Sequence, residues 1–379
     1  MKLTRLAHVS IALIGLACLT ETAQAYQYEV CEARGASKDI KFPSNIATLR
    51  LNTTSFPTGG TGGYLTAIDS AITQFNKNPS KFRLSRVYDS GGVAFDNGEN
   101  EVWGSDDSSI LKGSPAIAYI YSECYWLFGI EAKITEGDTI FDYDSPWKWT
   151  SSFLKTANMR YAGSLRYIAT TALHEFGHIA GLMHENRLYN EMGTDFTHTH
   201  TQGGYVIAYF GENAGNGLVA LYGLRSESRE DVAVAHWRRT GADGEYSSHD
   251  RTRLLTLRGI ELPYTNVGWE PRYTVTAGST VTAEFTYENL GKSTQNGNVV
   301  RFYISTDETI TSADQLIASA NLNLTRDVPY TTQHTFNLPR NLRANTEYWL
   351  GAIISIRSGA TDADSANNAS YIRIRVASR

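Results

Sequence analysis

Residues 174–192 read HEFGHIAGLMHENRLYNEM. His174 and His178 stand four apart, so on a helix their side chains stack on one face. Leu165, Ala169, Ala172, Phe176 and Ile179 recur at alternating spacings of four and three, which predicts an amphipathic helix with its apolar stripe on the opposite face and Ser164 as N-cap. Gly181 can take the left-handed conformation that ends a helix, so the chain can turn and carry His184 back toward the other two histidines. Three neutral imidazoles suit zinc and leave a fourth position open for water, the arrangement of a catalytic rather than a structural ion. Glu175, directly after His174, can reach that water without being a ligand. Two histidines four apart mean little on their own. Five residues at fixed spacing on a predicted amphipathic helix mean much more.

Upstream, IATLRLN (46–52) reads as a strand, and GGYLTAIDSAITQFNKNP as a helix with Leu65, Ile68, Ile72 and Phe75 on one face, ending before Pro79. FRLSRVYD (82–89), NEVWGSD (100–106) and SPAIAYIYSEC (114–124) read as further strands, and IEAKITEGDTIFDYD (130–144) as a strand pair or one bent strand. This order, completed by the histidine helix, predicts an α+β or α/β region with a mostly parallel sheet. GENAGNGLVALYG (211–223) looks helical with Gly223 as its stop, and DVAVAHW alternates like a strand.

The first 25 residues carry Lys2 and Arg5, then an apolar run too short to span a bilayer, then AQA at 23–25. They predict a secretory signal cleaved after Ala25, and hence a secreted, extracellular protein. The alternative is a cell-surface lipoprotein acylated at Cys18, although Gly15-Leu16-Ala17 fits a lipid-attachment box poorly. After cleavage two cysteines remain, Cys31 and Cys124, and in an exported chain an even pair predicts a disulfide. The alternative is Cys31 as a thiolate capping a metal. A net charge of −5 and the lack of a long basic run argue against a nucleic-acid partner, and no other apolar stretch reaches membrane length. A monomer is expected.

From about residue 264 the pattern becomes STVTAEFTY, VVRFYIST, TTQHTFNLP, TEYWLGAIISIR and SYIRIRVAS, short strands bounded by Gly, Asn, Asp or Pro. Without a helical pattern among them they predict a β-sandwich, with Val281, Ala283, Phe285 and Tyr287 on one face. The expected organisation is a signal peptide over 1–25, a domain holding the histidine motif over 26–255, a linker over 256–272 and a sandwich over 273–379.

HEFGHIAGLMH and the methionine of NEMGTD resemble the metzincin zinc metallopeptidases, whose pattern is H-E-x-x-H-x-x-G-x-x-H. The short run from His184 to Met192 is most similar to matrixins, and the likeness covers about half of the chain. It implies a metzincin-type twisted mixed sheet with an active-site helix, followed by an all-β Ig-like sandwich, an α+β chain overall. It implies His174, His178 and His184 as zinc ligands, Glu175 as general base and then acid, and Met192 in a methionine turn beneath the ion. It implies that the strand containing Ala116, Ala118 and Ile120 holds an extended peptide by backbone pairing, the alternative being an ordinary sheet interior. Glu185 stands where matrixins have serine and resembles the astacin glutamate that binds the mature amino terminus, here Tyr26. Thr194 replaces the tyrosine fifth ligand of astacins and serralysins. No latency propeptide fits between signal and first strand. YENLGKS, FYISTDETITSADQLI and DSANNASY resemble the CARDB type of bacterial Ig-like domain, which implies an attachment or substrate-positioning role and a surface ligand.

His198 and His200 in THTHT could line the specificity pocket or bind a second ion, or lie in an exposed loop. The acidic stretch 96–107, DNGENEVWGSDD, could hold structural calcium as matrixins do, or be a solvated loop. The functional expectation is a secreted zinc endopeptidase that hydrolyses extracellular proteins. The alternatives are an adhesin with a vestigial protease domain, or a zinc hydrolase acting on something other than peptides.

Overall fold

The computed structural model describes residues 6–9, 26–57, 63–144, 146–152, 165–185, 190–193, 199–239, 249–268 and 270–378. Ser164, Thr194, His198, Cys18 and the AQA sequence lie outside the described residues. The chain divides into two compact units. One comprises Met1–Ser151, Ala162–Glu185 and Ala214–Arg225, the other Ser152–Tyr161, Asn186–Asn213 and Ser226–Arg379.

In the first unit the strands are β1 (Leu6–Val9), β2 (Val30–Ala33), β3 (Ala36–Asp39), β4 (Ile46–Asn52), β5 (Arg83–Asp89), β6 (Asn100–Ser105), β7 (Ala116–Trp126), β8 (Ile130–Asp142), β9 (Lys148–Thr150) and β10 (Leu165–Tyr167). Six of them form one sheet in the order β1-β7-β8-β6-β4-β5. Neighbours run parallel from β8 to β5, while β7 runs antiparallel to both β8 and β1. The stretch 130–144 therefore contains one long strand, Ile130–Asp142, rather than a pair. Leu49 and Leu51 of β4 are fully buried, as alternation predicts for a covered sheet face. Helix α1 (Gly63–Phe75) buries Ala67, Ile68, Ala71, Ile72 and Phe75, the stripe read from the sequence with Leu65 at its margin. The histidine helix, Ile168–Ile179, packs against α1, β7 and β8. Its approach to β8 needs Gly137, where an added Cβ would lie 3.0 Å from Ile179 Cγ2.

The strands β2 and β3 make a hairpin, and the Cys31–Cys124 disulfide joins it to β7 with a Cα–Cα distance of 5.6 Å. The two cysteines are thus a bridge, and Cys31 is not a thiolate on a metal.

The regular elements described in the second unit are almost all strands. β11 (Thr199–Gln202) and β12 (Tyr205–Ala208) form a hairpin, as do β14 (Trp237–Arg239) and β15 (His249–Arg251). β13 (Val232–Ala235), β16 (Leu254–Leu255) and β22 (Tyr330–Asn337) all pair with β19 (Thr280–Asn289). β17 (Tyr264–Val267), β18 (Glu270–Val275), β24 (Ala369–Val376), β23 (Glu347–Ser355), β20 (Gln295–Ser305) and β21 (Gln315–Leu324) form a six-stranded sheet in that order. Val281, Ala283, Phe285 and Tyr287 are buried in one apolar core with Phe302, Leu350, Ile354 and Ile374. The segment DVAVAHW supplies β13, a strand of the β19 sheet.

The class expected from sequence needs correction. Strand makes up 46% of the described residues and helix 14%, so they are mostly β and not α+β of metzincin type built around an active-site helix. The expectation gave weight to the helices of the first half. The run of strands from Val232 to Val376, together with the long β7–β8 pair, outweighs them. Among the described residues no helix is long and apolar enough to cross a membrane.

The disulfide closes a loop of 93 residues. Replacing both cysteines by serine is expected to lower stability by ~2–4 kcal/mol, because a bridge of this span restricts the unfolded chain. Urea titration followed by circular dichroism checks this, and an unchanged midpoint would contradict it.

Candidate metal centre

The end of the histidine helix sets the site. Gly181 N–H donates to His178 O at 2.9 Å, and Leu182 N–H donates to Gly177 O at 2.9 Å. This is the Schellman pattern, in which the residue after the C-cap is left-handed. Gly181 fills that role with φ +95°, and a Cβ there would lie 2.8 Å from Ile40 O. The turn read from the sequence is therefore present. At its other end the helix begins at Ile168 after Tyr167, which provides no side-chain cap; Leu165 belongs to β10.

Beyond the turn the chain is held by residues that sequence reasoning missed. Met183 N–H donates to Gln27 O at 2.8 Å, and Tyr28 makes an antiparallel bridge with Leu182. These are backbone pairings, so no side-chain pattern announces them. Tyr28 also donates its hydroxyl hydrogen to Gly217 O at 3.0 Å.

The three imidazoles converge. His174 Nε2 lies 3.0 Å from His184 Nε2 and 3.1 Å from His178 Nε2. Among the described residues these form the group of three or more His, Cys, Asp or Glu side chains whose ligand atoms all lie within 4.8 Å of one another. His178 Nδ1 donates to Leu182 O at 2.8 Å, which fixes the tautomer and leaves the Nε2 lone pair facing its neighbours. Burial and the charge of His184 push His178 down to about 3, and burial also lowers His184. Both rings are therefore neutral near pH 7, the form that binds metal. Ring-nitrogen lone pairs turned toward one another at this distance repel unless a proton or a cation sits between them. Bonds of ~2.0–2.1 Å to a tetrahedral ion would put the nitrogens ~3.3 Å apart, close to the spacing found. The triad can hold a metal ion.

Glu175 is 6% exposed, and burial pushes its carboxyl up to about 8. The backbone N–H of Ala118 on β7 donates to it and opposes that shift. Strand and histidine helix thus meet at this carboxylate. Ala116, Ala118 and Ile120 themselves are buried, and β1 pairs with β7 along Tyr119–Ser122. Glu185, after the third histidine, is buried.

Met192 belongs to the second unit, buried in a turn where its N–H donates to Asn190 Oδ1 at 2.6 Å. His200 lies on β11 opposite Ile207. The acidic stretch 96–107 is tied down by carboxylates that accept from it and from the chain just before it. Glu136 takes the N–H groups of Asp96 and Gly98, and Glu101 takes Ala94 N–H and the Asn97 amide. Burial raises Asp138, beside them, to about 9.

No family model matches the chain, and no curated protein matches it. Solved structures similar to it include a CARDB domain from Pyrococcus furiosus, crystallised with di-metal ions, at 18% identity over 27% of this chain and 78% of that one, TM-score 0.21. A chitin binding domain from Burkholderia pseudomallei is 17% identical over 28% of this chain and 57% of that one, TM-score 0.20. A lytic polysaccharide monooxygenase from Streptomyces lividans is 13% identical over 36% and 70%, TM-score 0.19. TM-scores this low assign neither the fold nor the function of this chain.

Elemental analysis of the purified protein is expected to find about one divalent ion per chain, because three imidazoles make one ion site. His184→Ala is expected to lose it, and equal metal in both proteins would contradict the triad. Gly181→Ala, which forces a Cβ against Ile40 O in a left-handed turn, is expected to cost ~1–3 kcal/mol in a thermal melt and to weaken metal retention.

Proposed function

We propose that the protein is a secreted, zinc-dependent endopeptidase. The observation that carries the reading is a buried carboxylate, Glu175, beside three converging imidazoles to which it adds no fourth ligand. The spacing of these residues resembles the metzincin motif in sequence. Three nitrogen donors with a vacant fourth position is the donor set of hydrolytic zinc.

Zinc bound there would polarise a carbonyl and make a water acidic near neutral pH. The other steps fall to side chains of this chain. Glu175 takes the proton from the attacking water and delivers it to the leaving amine, a general base that becomes the acid. Its carboxyl, raised by burial, is suited to holding that proton between the two steps. With a cation held by the three histidines, the carboxyl of Glu175 would be lowered again by attraction and would start ionised. The Ala118 N–H holds the carboxylate in place on β7. Peptide is the favoured substrate because the edge of β7 pairs with an extended segment, Leu6–Val9, which lies within the signal expected to be cleaved after Ala25. His178 holds its orientation through its hydrogen bond to Leu182 O. Secretion follows from the amino-terminal signal, and zinc from the all-nitrogen ligand set.

Glu175→Gln removes the base and keeps the ligands. It is expected to retain its zinc while casein hydrolysis falls by about 10²–10⁴-fold. Chelation should abolish wild-type hydrolysis, and added zinc should restore it. A zinc-loaded wild type that cleaves no protein, or a Glu175→Gln variant that cleaves as fast as wild type, would contradict the proposal.

A further inference from the structure

The β7–β8 hairpin ends in Trp126-Leu127-Phe128-Gly129-Ile130. Leu127 is 53% exposed and Phe128 is 101% exposed. Phe128 has φ +57°, a conformation disfavoured for bulky residues and ordinarily given to glycine or asparagine. A phenylalanine is therefore held outward at a position where its own backbone preference is unfavourable. A second hairpin tip lies beside it. Arg34 and Gly35 turn β2 into β3, and the Arg34 guanidinium lies 5.2 Å over the Trp126 ring. The Cys31–Cys124 bridge locks the two hairpins together, and Lys38 Nζ donates to Ile130 O at 3.0 Å across them.

We propose that this double tip is a membrane-docking element that inserts Leu127 and Phe128 into a phospholipid bilayer, with Trp126 and Arg34 at the headgroups. Four features select a bilayer over a protein pocket. The apolar residues crown a convex tip rather than line a groove. The backbone at the tip is closed on itself, Leu127 N–H donating to Gly129 O at 2.8 Å, so it can enter an apolar phase without losing that bond. Tryptophan behind the apolar residues is the side chain that favours the interface, with an apolar body and a polar N–H. The charges complete the fit. Lys38 is paired with Glu131 and Lys133 with Glu123, whereas among the described residues Arg34 makes no salt bridge and can meet a lipid phosphate. The element would hold the first unit at a membrane surface without spanning the bilayer. It does not depend on the metal centre.

The test is co-sedimentation of the purified protein with vesicles of phosphatidylcholine and phosphatidylglycerol in equal parts, with phosphatidylcholine vesicles, and without lipid. Wild type is expected to sediment with both vesicles, more with the anionic ones, and to stay soluble without them. Phe128→Asn suits the left-handed turn, so it should melt no lower than wild type and keep its metal, yet bind vesicles at least about tenfold more weakly. Arg34→Gln should remove the preference for anionic lipid. Wild type that stays in the supernatant with both vesicles would overturn the proposal, as would Phe128→Asn binding as tightly as wild type. Wild type that self-associates without lipid through this tip, with Phe128→Asn monomeric, would overturn it in favour of a contact between copies.

Discussion

The position of His184 depends on one backbone constraint, the left-handed turn at Gly181. A helix that continued past Ile179 would carry the third histidine away from the other two. The Schellman bonds end it, and the close approach of Ile40 O leaves no room for a Cβ. After the turn, pairing with Gln27 and Tyr28 fixes the direction of Leu182 and Met183, so His184 returns to within 3.0 Å of His174. Local backbone geometry thus produces a three-nitrogen cluster that the sequence spreads over eleven positions.

Burial then sets the chemistry. The same packing that hides the histidine helix against β7 and β8 lowers His178 and His184 and raises Glu175. Ligands are kept neutral and the carboxyl is kept ready to hold a proton. Both shifts follow from the cost of charge in a low-dielectric interior. A surface version of the same five residues would lose this pairing of effects. The proposed hydrolysis therefore rests as much on Gly137, which lets the helix approach β8, as on the histidines.

Much of this was legible in the sequence because it is local. The histidine spacing, Gly181, the α1 stripe and the strands at 46–52, 83–89 and 100–105 are all short-range patterns. The cysteine pair followed from compartment chemistry and is bridged. What was not legible is long-range. The pairing of Gln27 and Tyr28 with the turn is made by backbone atoms, and the contact of Glu175 with Ala118 joins residues far apart in the chain. The fold class went wrong for a related reason. The prominent helical motif outweighed the strands read elsewhere, DVAVAHW among them, which pairs with β19, and the described residues are mostly β. Nor did the sequence distinguish Phe128 at a hairpin tip from the core aromatics, because exposure depends on where the hairpin ends.

The most direct test of the proposed centre is an anomalous-scattering map recorded at the zinc absorption edge on crystals of the wild-type protein. A single strong peak is expected among His174, His178 and His184, bonded to the three Nε2 atoms, with Glu175 outside bonding distance. No peak there from crystals grown with zinc in excess, or a peak whose ligands include Glu175 in place of one histidine, would contradict the assignment.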